Sequence, residues 1–345
     1  MGGCERKRQP HLIMGWKDVL KGDPTAWLLE EDNPSVRFYA LRNIEDRDEN
    51  DPEVQKAHED IMESTLVKTI LQAQKPEGYW ATEEDMYLPK YTASTHQLLI
   101  LAELGATSTP EIEKAVEHVY RFQRNSGHFL MKLPKSEKGR NSIVKDGCCF
   151  DGNILFYLNH FGYLDDPRTQ KLLKFTYDYY DRENTGWKCR AFPIDQNKVF
   201  PVNCFMGRTK LLKVFSKIPE GMRDPEMKEI IKLEVEEILE NGVYRYLRKP
   251  DGSRKDKAGW KKFGFPLFYQ ADILEIMGSL TRLGVRDERM QYAIDVILEA
   301  QQPDGKWLLK NTYNGKMYID IEEKHNPSKW VTMRALYVLK NWFEF

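Results

Sequence analysis

The sequence predicts an all-α fold in which helix hairpins close into an α/α toroid with an inner and an outer ring of helices. Three observations predict this fold. A glycine-centred turn motif recurs along the chain, amphipathic helices alternate with helices that are apolar nearly all round, and strand signals are sparse. About five to six hairpins of roughly 45–60 residues each would fill the ring around one continuous core.

The turn motif is clearest at two places far apart in the chain. Residues 72–80 read QAQKPEGYW, and residues 299–307 read EAQQPDGKW. Weaker copies lie at 122–129 and 181–187, and a degenerate copy lies at 250–252 or 258–260. The glycine of each copy can take a positive φ and so end the preceding helix. We expect the aromatic residue that follows it to pack back over the turn.

Two kinds of helix surround these turns. An amphipathic helix precedes a turn, as at 110–123 and 286–301, and a more apolar helix follows it after a loop. The apolar helices are predicted at 95–104, 151–161, 207–216, 269–283 and 332–342. A helix that is apolar all round is buried, whereas one with a single apolar stripe lies in an outer layer. The alternation therefore predicts an inner ring wrapped by an outer ring.

The N-terminal stretch differs from the repeats and sets the predicted domain boundaries. Asn33 and Pro34 begin a capped helix of the kind found in HEAT repeats. We predict a disordered extension at 1–13, a HEAT-like helical cap at 14–60 that could form the first pair of the ring, and the toroid at 61–345.

Composition excludes some classes of function. The 52 basic residues against 53 acidic ones leave a net charge of −1, which gives no electrostatic case for nucleic-acid binding. No apolar run approaches the length of about 18 residues that spans a bilayer. Five cysteines, two of them adjacent, argue against a disulfide framework. With no apolar signal segment at the start, we expect a cytoplasmic protein.

The turn at residues 74–80, and again at 301–307, resembles the QW motif of squalene and oxidosqualene cyclases. The layout from about residue 60 onward resembles the superfamily that these enzymes share with the β subunits of protein prenyltransferases, and prokaryotic proteins labelled terpene-cyclase-like. The resemblance implies a central cavity for an isoprenoid or another apolar ligand. However, the Asp-X-Asp-Asp, Asp-Asp-X-X-Asp and Asp-X-Cys signatures of those activities are absent from this sequence.

When the five predicted inner helices are aligned by their Leu/Ile pattern, the alignment predicts which side chains meet at the cavity mouth. The N-terminal ends of helices favour anions there. At the mouth, the inner helices themselves are expected to place five polar residues: His96, Asp151, Arg208, Asp272 and Arg334. The loops that precede these helices are expected to add six more: Tyr91, Cys149, Cys204, Tyr269, Lys329 and Trp330.

A zinc site is the first hypothesis for these residues. Cys149, Cys189 and Cys204, with a carboxylate or His96, could hold a zinc ion that supplies Lewis acidity. The alternative is that these cysteines are small buried hydrophobes, because their spacing matches no closed zinc module.

A general acid is the second hypothesis. A carboxyl group of Asp151 or Asp272 beside an aromatic cavity would have a raised pKa, which suits proton donation, and His96 is a further catalytic candidate. The alternative role of each aspartate is to cap its own helix.

An anion clamp is the third hypothesis. Arg208, Lys329 and Arg334 could hold a diphosphate or carboxylate head group. Aromatic side chains could stabilise a cation over their faces, or simply fill the core: Tyr91, Phe150, Phe205, Tyr269 and Trp330.

Four functions therefore remain open from the sequence. The leading one is an enzyme that handles an isoprenoid or another apolar substrate, of the prenyltransferase or terpene-cyclase kind. The others are a non-catalytic binder of an apolar ligand, a helical scaffold that binds a protein partner, and a toroid hydrolase or lyase.

Overall fold

The computed structural model describes residues 15–134, 136, 147–188, 204–248 and 254–344. Within these ranges the helices are α1 Thr25–Leu28, α2 Pro34–Asn43, α3 Pro52–Glu63, α4 Thr65–Gln72, α5 Ser94–Leu104, α6 Pro110–Tyr120, α7 Cys148–His160, α8 Pro167–Asp178, α9 Phe205–Lys217, α10 Pro225–Glu240, α11 Ile273–Arg282, α12 Gln291–Glu299 and α13 Lys329–Phe343. Short 3₁₀ helices lie at Trp16–Val19, Glu220–Met222, Ala258–Lys261 and Glu288–Met290. Strands β1 Arg245–Arg248 and β2 Arg254–Asp256 form an antiparallel pair.

The helices form two rings, which confirms the predicted all-α toroid. In the inner ring, α5, α7, α9, α11 and α13 pack side by side in chain order, and α13 also packs on α2. All eleven residues of α5 are buried, whereas α6, which precedes α7, buries one face and leaves its glutamates exposed. The amphipathic helices α4, α6, α8, α10 and α12 therefore form the outer ring. No helix among the described residues has the length and hydropathy needed to cross a membrane.

Three tryptophans of the turn motif are hydrogen-bonded to the helix that precedes the turn: Trp80, Trp187 and Trp307. The indole Nε1 of Trp80 donates to the Ile70 carbonyl oxygen at 2.7 Å, and Trp307 donates to Ile297 at 2.8 Å. Trp187 donates in the same way to the Thr176 carbonyl oxygen, in the last turn of α8, at 2.7 Å. All three indole rings are fully buried. These bonds satisfy carbonyl groups at helix ends that have no partner within the helix.

The glutamine and the glycine of the motif contact the next hairpin, as the copies at 72–80 and 122–129 show. The side-chain amide of Gln74 donates to the Glu111 carbonyl of α6 at 2.9 Å, and Gln123 donates to Arg168 of α8 at 2.6 Å. Gly78 has a φ of +92°, and a Cβ built there would lie 2.7 Å from the backbone of α6. The motif thus encodes contact between neighbouring hairpins as well as a turn.

The N-terminal segment closes the ring by taking the place of the next outer helix after α12. A Cβ on Gly305 would lie 2.3 Å from the Gly22 carbonyl oxygen, so the two backbones touch. Gln301 accepts from the Lys21 backbone N–H at 2.8 Å, and the Lys21 ammonium donates to the Gln301 carbonyl at 2.7 Å. Asn33 caps α2 through the Val36 N–H, as the sequence predicts. With α1 and α2 as a sixth unit, the toroid is complete.

Candidate functional site

Aromatic side chains fill the end of the toroid at which the inner helices begin. Tyr91 stacks on Tyr313 with ring centroids 4.3 Å apart, and its hydroxyl lies 3.2 Å from that of Tyr269. Phe150 and His96 both contact the Tyr87 ring. The structure therefore brings together Tyr91, His96 and Tyr269, three of the residues predicted to meet at the cavity mouth. A cavity of only about 30 Å³ lies beside them, and its lining includes Tyr87, His96, Cys149, Phe150 and Tyr269.

His96 lies deep in this aromatic cluster. Burial lowers the pKa of its imidazole to about 3, with the positive charge of Lys90 acting in the same direction. Its Nδ1 has no hydrogen-bond partner among the described residues. The ring is therefore neutral at physiological pH, and the small cavity beside it has room for about one water molecule.

The two candidate acids are both buried at the starts of inner helices. Asp272 is the N-cap of α11, where one oxygen accepts from the Glu275 N–H and the other from the Gly264 N–H, each at 2.9 Å. Burial raises the pKa of its carboxyl group to about 6. Asp151 is fully buried in the first turn of α7. Gly152 beside it lets the backbone of α9 approach α7, rather than a ligand.

The residues of the predicted anion clamp do not gather at one place. Arg208 lies between α9 and the outer ring, where its Nε pairs with Glu234 at 2.5 Å. Lys329 reaches the N-terminal segment and pairs with Glu30 at 2.9 Å and with Asp32. It therefore fastens α13 to the segment that closes the ring. Only Arg334 points into a large cavity.

Cys149 and Cys204, two of the predicted zinc ligands, have different surroundings in the structure. Cys149 lines the small aromatic cavity, whereas Cys204 caps α9 by accepting from the Gly207 N–H at 3.4 Å. Cys189 lies outside the described residues. Among the residues that are described, no three His, Cys, Asp or Glu side chains stand close enough to hold a metal ion.

A second and wider cavity lies further along the inner helices and holds about 310 Å³. We call it the cationic cavity. Residues of α2, α5, α9, α11 and α13 form its walls: Phe38, Tyr39, Arg42, Asn43, Glu103, Lys213, Lys217, Leu274, Glu275, Gly278, Arg282, Trp330, Met333, Arg334 and Tyr337. Trp330, a predicted binding residue, is held in this wall by stacking on Phe265 at 4.1 Å.

A buried ion-pair network crosses one side of the cationic cavity. The Lys213 ammonium pairs with Glu103 and lies 3.1 Å from a Glu275 oxygen. Lys210 binds both oxygens of Glu275 at 2.7 and 2.8 Å, and Arg334 donates to Glu103 at 3.0 Å. The basic groups hold the pKa of Glu103 at about 2 against the effect of burial. Removing one member would leave an uncompensated buried charge, so the network is sensitive to single substitutions.

Three further cations of the cavity have no carboxylate partner among the described residues. Arg282 donates from Nε to the Ser216 hydroxyl at 3.2 Å, and Arg42 donates to the Arg47 carbonyl at 2.5 Å. Lys217 lies 5.2 Å from the Phe156 ring centre. Burial, with Arg282 as the largest contributing charge, lowers the pKa of the Lys217 ammonium to about 7. These groups are available to an anion.

Sequence reasoning missed most of this cavity, although a signal was present. Lys210, Lys213 and Lys217 lie at helical spacing on one face of α9, a helix that the pattern predicts to be buried. Three lysines on one face of an inner helix imply buried carboxylates opposite them. Glu103 and Glu275, on two other inner helices, are those carboxylates.

No protein-family model matches the sequence, and no curated protein matches it. Solved structures resemble it in fold. A possible member of the GH105 family from Salmonella enterica serovar Paratyphi A matches over 97% of this chain and 96% of its own, with 12% identity and a TM-score of 0.50. Cellobiose 2-epimerase from Bacillus thermoamylovorans matches over 74% of each chain, with 13% identity and a TM-score of 0.43. The type II terpene cyclase MstE from Scytonema matches over 82% of this chain and 96% of its own, with 11% identity and a TM-score of 0.32. At such low identities, these likenesses concern the fold alone, and the fold of this chain is the α/α toroid.

Proposed function

We propose that this chain binds a compact organic anion, one that carries a phosphate or carboxylate group, in the cationic cavity. The observation that carries the proposal is the charge of the lining. Five basic side chains face two carboxylates within about 310 Å³. Because Lys217 has a pKa of about 7, the lining carries an excess of between two and three positive charges at neutral pH: Arg42, Lys213, Lys217, Arg282 and Arg334 against Glu103 and Glu275.

Helix dipoles account for part of this excess but not for all of it. Lys217 and Arg282 are the last residues of α9 and α11, where each helix terminus carries roughly half a negative charge. Arg334 lies in the N-terminal half of α13, so no helix C-terminus offsets its charge. Its Nη1 is buried and has no hydrogen-bond partner in the described part of the chain. A bound anion would supply that partner.

The walls of the cavity suit a ligand with both an anionic group and a compact organic body. Tyr39, Trp330 and Tyr337 present aromatic surface to it. Pockets that bind small molecules typically hold about 300–1,000 Å³ and combine such surface with a few polar groups. The cationic cavity lies at the lower end of this range.

The same lining argues against a purely apolar ligand. Hydrocarbon packed against Lys217 and Arg282 would desolvate both cations without offering a hydrogen bond, which costs several kcal/mol per ion. An isoprenoid would therefore need an anionic head group to occupy the cavity. A phosphate or carboxylate group is the shared chemistry that the cavity selects.

Calorimetric titration of the full chain tests the proposal with four probes: pyrophosphate, glucose 6-phosphate, glucuronate and geranyl diphosphate. We expect binding that weakens as salt is added. If geranyl diphosphate binds with much higher affinity than pyrophosphate, the ligand is an isoprenoid. If glucose 6-phosphate or glucuronate binds with higher affinity than the other probes, the ligand is a carbohydrate. Heat signals absent for all four probes would refute the proposal.

A pair of variants locates the binding. Arg282→Met removes a cation that has no carboxylate partner among the described residues, so the ring keeps its ion-pair network. We expect it to weaken binding by about 10- to 100-fold, the effect of losing one charged hydrogen bond of about 1.5–3 kcal/mol. Lys228→Met, an exposed substitution on α10, is the matched control. Equal losses in both variants would place the anion outside the cationic cavity.

A further inference from the structure

We propose that Lys217 is an amine nucleophile, which forms an imine with a carbonyl group of the anion held in the cationic cavity. The inference rests on the proposed function and narrows its ligand to a carbonyl-bearing phosphate or carboxylate. It follows from a difference between the two lysines of the cavity, because Lys213 is paired with carboxylates and Lys217 is not, among the described residues.

Lys213 and Lys217 are one turn apart on α9, yet their surroundings differ. Lys213 is held between Glu103 and Glu275, so its nitrogen is occupied by two carboxylates. The Lys217 nitrogen has no carboxylate within ion-pair distance among the described residues, and it stands between the rings of Phe156 and Tyr39. Lys217 is therefore the cavity lysine whose nitrogen can reach a ligand.

Cations also surround Lys217 from other helices of the ring. Arg282 on α11, Arg334 on α13 and Lys213 on its own helix all act to remove its proton, whereas Glu103 on α5 opposes them. Desolvation and neighbouring positive charge together are the conditions that free a lysine amine to act as a nucleophile. The same arginines would hold the anionic group of the ligand and so present its carbonyl carbon to the amine.

The step balances with groups that are present. The neutral amine adds its nitrogen lone pair to the carbonyl carbon, and the electrons of the C=O π bond move to oxygen. Both amine hydrogens leave with that oxygen as one water molecule, and a carbon–nitrogen double bond remains. Hydrolysis reverses the step, and no oxidant or reductant is consumed.

Reductive trapping tests the inference on the full chain. Glyoxylate, which is both an aldehyde and a carboxylate, is incubated with the protein near neutral pH with cyanoborohydride, and peptide mass mapping locates the carboxymethylated lysines. We expect Lys217 to be modified at least about tenfold faster than the exposed Lys228, because about half of its amine is unprotonated near neutral pH, whereas an ordinary lysine is almost fully protonated there. Pyrophosphate should slow the reaction at Lys217 and leave Lys228 unchanged.

Lys217→Arg separates this inference from the proposed function. The variant keeps the positive charge and should retain pyrophosphate binding while losing the fast adduct. If the wild type binds pyrophosphate but Lys217 is not preferentially labelled, Lys217 is not a nucleophile, and the proposed anion site is unaffected. Absence of both binding and labelling would overturn both proposals. The labelling ratio within the wild-type chain decides the question even if the variant does not fold.

Discussion

Lys217→Met should make the stability of the protein less dependent on pH. The Lys217 pKa is about 7 in the folded chain against 10.5 for an ordinary lysine. A lysine whose folded pKa is depressed binds fewer protons in the folded state than in the unfolded state between these two values. The free energy of unfolding therefore rises with pH across that window in the wild type, and methionine removes this contribution.

The magnitude follows from the two pKa values. With one pKa unit equal to about 1.4 kcal/mol, Lys217 should add about 2 kcal/mol to the free energy of unfolding between about pH 6 and pH 8.5. Methionine fills similar space without a charge, so the variant should be the more stable protein at the lower pH. Its advantage should shrink by about 2 kcal/mol at the higher pH.

Urea unfolding followed by tryptophan fluorescence measures this difference at the two pH values. Other titrating groups near the cavity, such as His160, are present in both proteins, so their contribution largely cancels. Lys228→Met provides the control, because an exposed lysine should change neither the stability nor its pH dependence. A constant gap between the wild type and Lys217→Met would show that the Lys217 amine titrates normally.

Three further predictions concern the ring itself, and each is measured as a change in the free energy of unfolding. Gly305→Ala should cost about 3 kcal/mol, because it adds backbone strain at positive φ and a clash with the N-terminal segment. Gly315 also has a positive φ but lies in open space, so Gly315→Ala should cost only about 1 kcal/mol. Equal costs would contradict the close approach of Gly305 to the N-terminal segment. Trp307→Phe should cost about 1–3 kcal/mol by leaving the Ile297 carbonyl without its buried donor, and a neutral result would show that this bond contributes nothing. Lys329→Met should cost at most about 1 kcal/mol, because its two carboxylate partners are exposed, and a larger loss would mean that this pairing holds the ring closed.

The sequence predicted the architecture because the repeat carries its own contacts. At the copies that carry both residues, the turn glycine and glutamine contact the neighbouring hairpin, and the turn tryptophans bond to the helix before them. Copies of one short motif therefore indicate one repeated packing arrangement. Alignment of the inner helices by their apolar residues likewise placed Tyr91, His96 and Tyr269 at the same end of the ring, and the structure has them there.

The cationic cavity was decided by tertiary structure. Lys213 and Glu103 are 110 residues apart in the chain, and Arg334 and Glu103 are 231 apart. Hydrophobic periodicity reports which face of a helix is buried, but it does not report which other helix that face meets. The sequence by itself therefore determined the rings, the turns and the aromatic end. That five cations and two carboxylates share one cavity follows only from the closed toroid, because these ion pairs join residues that are distant in sequence and close only in the folded chain.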